Sequence, residues 1–433
     1  MNLEHPHHHV QADMLSVEDA LTRILSYFSI LEPEEKPILD AVEQTLAEDI
    51  VAPFDIPPLD NSAMDGFAVR KEDIEEATPT KPRILRVIGQ LAAGSLPTGE
   101  VTKGTAVRIM TGAPIPPGAD TVVPFEETDE VARKASGQSL TEIAVLADAK
   151  LGAYVRLAGE DISKHQRVLE AGTIVRSAEA GILASLGRSK VQVIRRPTVA
   201  ILATGDELLT PGEPAREGKI YDSNSFSAAA AVLRYGGIPR LLGIAADNLE
   251  ALKRKLTSAL DADLLVTSAG VSQGDYDVVK EALATMGEID FWSVRMRPAK
   301  PLAFGTLLAQ GGRLVPHIGL PGNPVSALVA FEQFCRPVLL KMLGRRVLAK
   351  PTIEATLSEP IYNNDGRRVY ARAVISRRNG HLFAALTGSQ ESNVLTSMSK
   401  ANGLAICPEN IAQMNTGQKV QVQMLDWPEE VTV

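Results

Sequence analysis

Between residues 197 and 347 apolar runs of strand length alternate with helical runs, and this alternation constrains the fold more than any other feature. PTVAILA reads as a buried strand and NSFSAAAAVLRYGG as a helix stopped by two glycines. IPRLLGIA, ADLLVTS, FWSVRMR, PLAFGTLL and RLVPHIGL read as further strands. NLEALKRKLTSAL, DVVKEALATMG and the long PVSALVAFEQFCRPVLLKMLG read as helices. Strands alternating with helices build β-α-β units, so a mostly parallel sheet covered on both faces is expected. Arg195-Arg196-Pro197 marks its start.

The flanking segments have other patterns. LSVEDALTRILSYFSI, residues 15–30, reads as an amphipathic helix capped by Ser16 in an S-x-x-D box with Asp19. Residues 38–48 repeat the helical pattern through Leu39, Val42 and Leu46 until Pro53, Pro57 and Pro58 break it. Residues 51–150 become short apolar runs such as RILRVIG, TAVRIM and DTVVPFEE between glycines and prolines, the pattern of a small β module. Residues 151–195 look extended, with Val168-Leu169, Thr173–Val175 and Val191–Ile194 as strands and a helix near Ser177–Leu186. From Lys350 strands return, as TIEATLS, RRVYARAVI, HLFAALT, LAICPE and QKVQVQML.

At 433 residues the chain is long enough for about three domains of roughly 150 residues. Hydrophobic residues make up 45% but aromatics only 4%, so the cores are aliphatic. A net charge of -9 argues against a nucleic-acid binder, which needs a basic face. Cys335 and Cys407 are too few for a disulfide framework and read as core residues of a protein in a reducing compartment, with a cytoplasmic location expected. No apolar run reaches the length of about 18 residues that a membrane span needs, and no secretion signal is visible. His5, His7, His8 and His9 form a tract at the chain end with no role expected.

Ligands of a parallel sheet bind at the carboxyl ends of its strands. The loops there carry Thr204-Gly205-Asp206-Glu207, then Asp247-Asn248, then the stretch from Ala269 to Asp277, and then Leu320-Pro321-Gly322-Asn323-Pro324. Tyr221-Asp222-Ser223-Asn224 precedes the first helix. Glycine-bearing turns that lead into helices offer bare amides to phosphate-like anions. Glu207, Asp247, Asp275 and Asp277 would repel such an anion unless a hard cation stood between, which points to Mg²⁺ and a phosphorylated or pyrophosphorylated ligand. Arg297 and Lys300 add positive charge. Taken singly, Asp247 reads equally well as a helix cap, and Gly322-Asn323 as a turn and cap. PPLDNSAMDGFAVR, residues 57–70, is similarly open between a polar turn and a ligand-facing loop.

Seven blocks in order identify a resemblance: DNSAMDGFAVR, RIMTGAPIPPGADTVVP, ATGDEL, KIYDSNS, SAGVSQGDYDVV, RPAKPLAFG and GLPGNPVSAL. Over nearly its whole length the sequence resembles the bacterial molybdopterin molybdenumtransferase family, which includes the C-terminal domain of gephyrin. The resemblance implies a multidomain fold of α/β plus β type. Its parts would be an extended N-terminal α+β domain (12–50 and 151–196), an inserted small β module (51–150), a three-layer α/β molybdopterin-binding domain (197–347) and a C-terminal β-barrel-like domain (348–433). It implies insertion of molybdenum from molybdate into adenylylated molybdopterin with release of AMP and a requirement for Mg²⁺. It also implies a homodimer whose cleft joins the α/β domain of one subunit to the first domain of the other, and transient contact with the molybdopterin adenylyltransferase and apo molybdoenzymes. A Mg²⁺-dependent nucleotide-anhydride hydrolase and a non-catalytic cofactor carrier or scaffold are the alternatives.

Carried over by motif, the catalytic candidates are Asp60, Ser62, Asp65, Thr111, Glu207, Asp247, Asp277 and Lys300, with Glu207, Asp247 and Asp277 as metal ligands. The cofactor-binding candidates are Gly112, Thr204, Gly205, Ser268, Gly270, Ser272, Asp275, Pro298, Pro301, Gly322, Asn323 and Ser326. Ser62 and Thr111 are expected to hydrogen-bond molybdate. Arg367, Arg368, Gln390 and Ser392–Ser399 are open between reaching the ligand across the dimer and forming an ordinary polar face. The sequence departs from the family at Ala269 and Ala299, where glycine is usual, and at Phe67, where tyrosine is frequent. If either alanine needs a positive φ, its backbone is strained.

Overall fold

The computed structural model describes residues 14–246, 248–268 and 278–426. The chain divides into two compact units, one formed by Glu48–Thr173 with Ser177–Ser189 and the other by the remaining described residues.

The larger unit is built on a six-stranded sheet. Its strands run in the order Ile238–Ala245, Thr198–Thr204, Leu264–Ser268, Leu314–Leu320, Pro301–Leu308, Gly287–Ser293. The first four pair in parallel, and Pro301–Leu308 runs antiparallel to both of its neighbours. Alternation along each strand sends successive side chains to opposite faces. Val199, Ile201, Val266, Ile318 and Leu320 pack with helices Asn224–Arg234 and Pro324–Ala330 on one face. Ala200, Leu202 and Leu265 pack with helices Leu249–Thr257 and Val278–Met286 on the other. The result is the expected three-layer α/β arrangement with a mostly parallel sheet.

Helix Val17–Leu25 joins the first of these cores through Val17, Ala20 and Ile24, and Ser16 caps it by accepting from the Asp19 amide at 3.0 Å. It ends at Leu25, short of the expected Ile30. The helix expected at 38–48 does not form. Glu43 takes a φ of 65° and pairs with Val175 instead, its amide donating to the Val175 carbonyl at 2.9 Å. Eleven residues or so barely suffice to nucleate a helix, and here long-range partners take the backbone groups. Thr173–Val175 is likewise not a strand, although Ile174 makes a single bridge to Thr45. The long helix read over 324–344 contains a π turn, Phe331–Cys335. Pro337 follows it; in a regular helix its ring would meet the carbonyl four residues back, and the wider turn relieves that clash.

Beyond the α/β layers, strands Thr352–Leu357, Arg368–Arg378, His381–Leu386, Gly403–Cys407 and Lys419–Met424 close into a barrel, because Arg368–Arg378 pairs with both His381–Leu386 and Gly403–Cys407. The short strand Met296–Arg297 pairs in parallel with Arg368 and Val369 and so ties the α/β layers to the barrel.

The smaller unit holds a five-stranded sheet in the order Thr121–Pro124, Gly66–Val69, Thr105–Ile109, Arg83–Leu91, Glu142–Val145. Gly66 is demanded by close approach: a Cβ there would lie 2.0 Å from the Val123 carbonyl oxygen.

Candidate active site

The loops at the carboxyl edge of the six-stranded sheet open on a cavity of about 1000 Å³. Of the residues singled out from the sequence, Glu207, Pro298, Lys300, Pro301, Gly322, Asn323 and Ser326 line it. Gly205 has a φ of 142°, and a Cβ there would fall 2.6 Å from the Glu207 carboxylate. Its missing side chain therefore makes room for Glu207 to fold back over the loop. Neither the Glu207 carboxylate nor the Lys300 ammonium has a side-chain partner among the described residues. Asn323 occupies the cap position of helix Pro324–Ala330, but its side chain makes no capping bond. Thr204 is buried and its hydroxyl donates to the Ser268 carbonyl at 3.4 Å. Asn248 caps the next helix by accepting from the Ala251 amide at 2.8 Å. Asp247, Gly270, Ser272, Asp275 and Asp277 lie outside the described residues, as do Ala269 and the histidine tract.

The barrel forms the opposite wall. Arg367, Gln390 and Ser392 line the same cavity, so within one chain they face the sheet edge. Arg368 does not; it pairs with Glu409 and Glu18. Tyr362, Asp365 and Arg372 also line the cavity, and the sequence reading did not pick them. Burial pushes Asp365 up, but the Arg367 guanidinium bonded to it wins and holds it below the usual carboxylate range. Arg297 stands 3.7 Å from Asp365. Arg372 is 1% exposed and donates to the Ser397 hydroxyl at 3.1 Å and the Glu391 carbonyl at 3.0 Å, which fixes the 389–391 turn. Burial pushes its guanidinium down to about 10, still charged at neutral pH. In sequence Arg372 sits in an alternating strand, and nothing local marks it as a wall of the cleft.

In the smaller unit the DNSAMDG stretch is a braced turn. Asp65 Oδ1 accepts from the Thr111 amide at 2.7 Å and the Thr111 hydroxyl at 2.8 Å, and these bonds hold its carboxyl below the ordinary range. Asp60 accepts from the Ala158 amide at 2.7 Å. The Gly112 amide donates to the Ser62 carbonyl at 2.8 Å, with Gly112 at a φ of 80°. Behind them Arg108 bonds the Gly66 and Ile109 carbonyls, pairs with Glu130 at 2.9 Å and lies 5.4 Å from the Phe67 ring centre. Ser62 donates to the Met64 carbonyl and Thr111 to Asp65, so both hydroxyl protons are used within the unit.

Comparison with known proteins places these features in a family. Residues 15–187 match a model described as the MoeA N-terminal region (domain I and II), 200–341 a probable molybdopterin binding domain, and 354–425 the MoeA C-terminal region (domain IV). Molybdopterin molybdenumtransferase 2 of Mycobacterium tuberculosis (strain H37Rv) is 36% identical over 416 residues, which cover 94% of this chain and 99% of that protein. The chain belongs to the molybdopterin molybdenumtransferase family. The molybdopterin molybdenumtransferase of Nostoc sp. is also 36% identical, over 96% of this chain and 95% of the relative. A solved molybdopterin biosynthesis MoeA protein from Pyrococcus horikoshii, 31% identical, superposes with a TM-score of 0.80 over 96% of this chain and all of that one. As a molybdopterin molybdenumtransferase the chain is an enzyme of molybdenum cofactor biosynthesis with the fold expected from sequence. Among the described residues no helix is long and apolar enough to cross a membrane.

Proposed function

We propose that this enzyme takes adenylylated molybdopterin and molybdate, places molybdenum at the dithiolene and releases AMP, with Mg²⁺ required. The observation that carries this reading is the cavity at the sheet edge. It presents a carboxylate (Glu207) and an ammonium (Lys300), neither paired among the described residues, beside the exposed turn at Gly322 and Asn323. Glu207 is a hard oxygen donor held over Gly205, which fits a Mg²⁺ ligand, and Asp247 and Asp277 would complete the set. Bound there, the cation would supply charge neutralisation for the departing phosphate. Lys300 binds the phosphate side electrostatically, and the Gly322 and Asn323 amides orient it. Asp65, kept ionised by Thr111, accepts a hydrogen bond or proton and does not bind an oxyanion directly. The Ser62 and Thr111 hydroxyls and the Thr111 and Gly112 amides already donate internally, so they hold molybdate by exchanging those bonds for bonds to the oxyanion.

We further infer a cytoplasmic homodimer with the four-part domain division given above. The direct test combines the purified chain, adenylylated molybdopterin, Mg²⁺ and molybdate, and then adds an apo molybdoenzyme. The proposal expects the apo enzyme to become active. Persistent inactivity with intact ligand supplied would overturn it.

A further inference from the structure

Asn224 belongs to none of the groups assigned above, yet it joins two of the loops. Asp222 accepts from the Ser225 amide at 3.0 Å and sets the turn into helix Asn224–Arg234. From the first residue of that helix, Asn224 Nδ2 reaches Ser268 Oγ at 2.8 Å and the Gly322 carbonyl oxygen at 2.7 Å. Ser268 ends the strand Leu264–Ser268 and is 6% exposed, while Gly322 lines the cavity.

The polarity of this contact is fixed by chemistry. A carbonyl oxygen only accepts, so the amide nitrogen of Asn224, not its oxygen, must face Gly322. Its second N–H is then directed at Ser268 Oγ, which must accept. The Ser268 proton is thereby left over, and it has no acceptor among the described residues. A nearly buried hydroxyl with an unspent proton is a donor waiting for an anionic oxygen.

We infer that Asn224 is a positioning residue of the ligand site. It clamps the end of the Leu264–Ser268 strand to the Gly322 turn and orients the Ser268 hydroxyl to donate to a phosphate oxygen of the bound pterin. The inference rests on reading the cleft as a molybdopterin site.

The test is a double-mutant cycle on the full chain with N224A, S268A and the pair, using molybdopterin itself as the probe in anaerobic titrations. Loss of one hydrogen bond to a charged group corresponds to roughly tenfold in affinity. Each single variant should therefore raise Kd and KM about tenfold, with kcat nearly unchanged. The double variant should be no weaker than S268A, because the amide acts through the hydroxyl. Additive losses in the double variant, or N224A binding as tightly as the parent enzyme, would overturn the inference. A purely structural Asn224 would lower Tm and kcat together and leave the coupling at zero. If N224A does not fold, N224S replaces it, since its short hydroxyl cannot span both partners and the same non-additivity is required. Failure of the unmodified enzyme to bind molybdopterin would overturn the reading of the cleft and the inference with it. Binding by that enzyme with additive variants would overturn the inference alone.

Discussion

At the scale of single residues, His317 couples stability to pH. Its ring is fully buried, with Nε2 2.9 Å from the Thr267 hydroxyl and Nδ1 without a partner among the described residues. Burial pushes it from 6.5 down to about 3. With the folded value below the unfolded one, the unfolded chain binds more protons between them. Stability is therefore full above 6.5 and falls as pH drops towards 3, by about 1.4 kcal/mol per unit. Denaturant titrations at several pH values between 7 and 4 should show this slope, and H317N should lower it by one proton equivalent. An unchanged slope in H317N would show that His317 is not the group responsible. Phe67 illustrates a different single-residue effect. It is fully buried beneath Arg108, so a tyrosine there would bring a hydroxyl into a core that needs a partner for it.

At the scale of elements, the connection from Met296–Arg297 to Pro301–Leu308 carries backbone strain. Ala299 has a φ of 77° and is 5% exposed, packed into the α/β core. An L-residue there costs about 1–2 kcal/mol relative to glycine, and a β-branched one more. The expected stability order is A299G at or above the parent chain, with A299V at least about 2 kcal/mol below it, measured by chemical denaturation. A299G destabilising by more than about 1 kcal/mol would contradict the assignment of strain. The alanine in Arg-Pro-Ala-Lys-Pro marked the position, but the positive φ that strains it was not legible in the sequence.

The same contrast runs through the elements. The α/β strands and helices were legible because period and turn residues agree over long runs. Residues 38–48 were not, because their helical spacing competes with pairing to Ile174–Val175, which no local pattern shows. The sheet-edge wall of the cleft was legible from loop position alone. The barrel wall was not: it is brought there by the pairing of Met296–Arg297 with Arg368–Val369, and Arg372 looks like any strand residue until its partners are seen.

At the scale of the whole molecule, the proposed homodimer predicts a sedimentation mass of twice 46.4 kDa. A species at 46.4 kDa across micromolar concentrations would contradict it. The central claim is that the acidic and basic groups at the sheet edge serve molybdenum insertion and not simple anhydride cleavage. The measurement that separates these is AMP release from adenylylated molybdopterin with Mg²⁺, run with and without molybdate. The account predicts release that depends on molybdate and is lost in D277N while the protein stays folded. Release indifferent to molybdate would point instead to a nucleotide-anhydride hydrolase, and normal turnover by D277N would contradict the metal-site assignment.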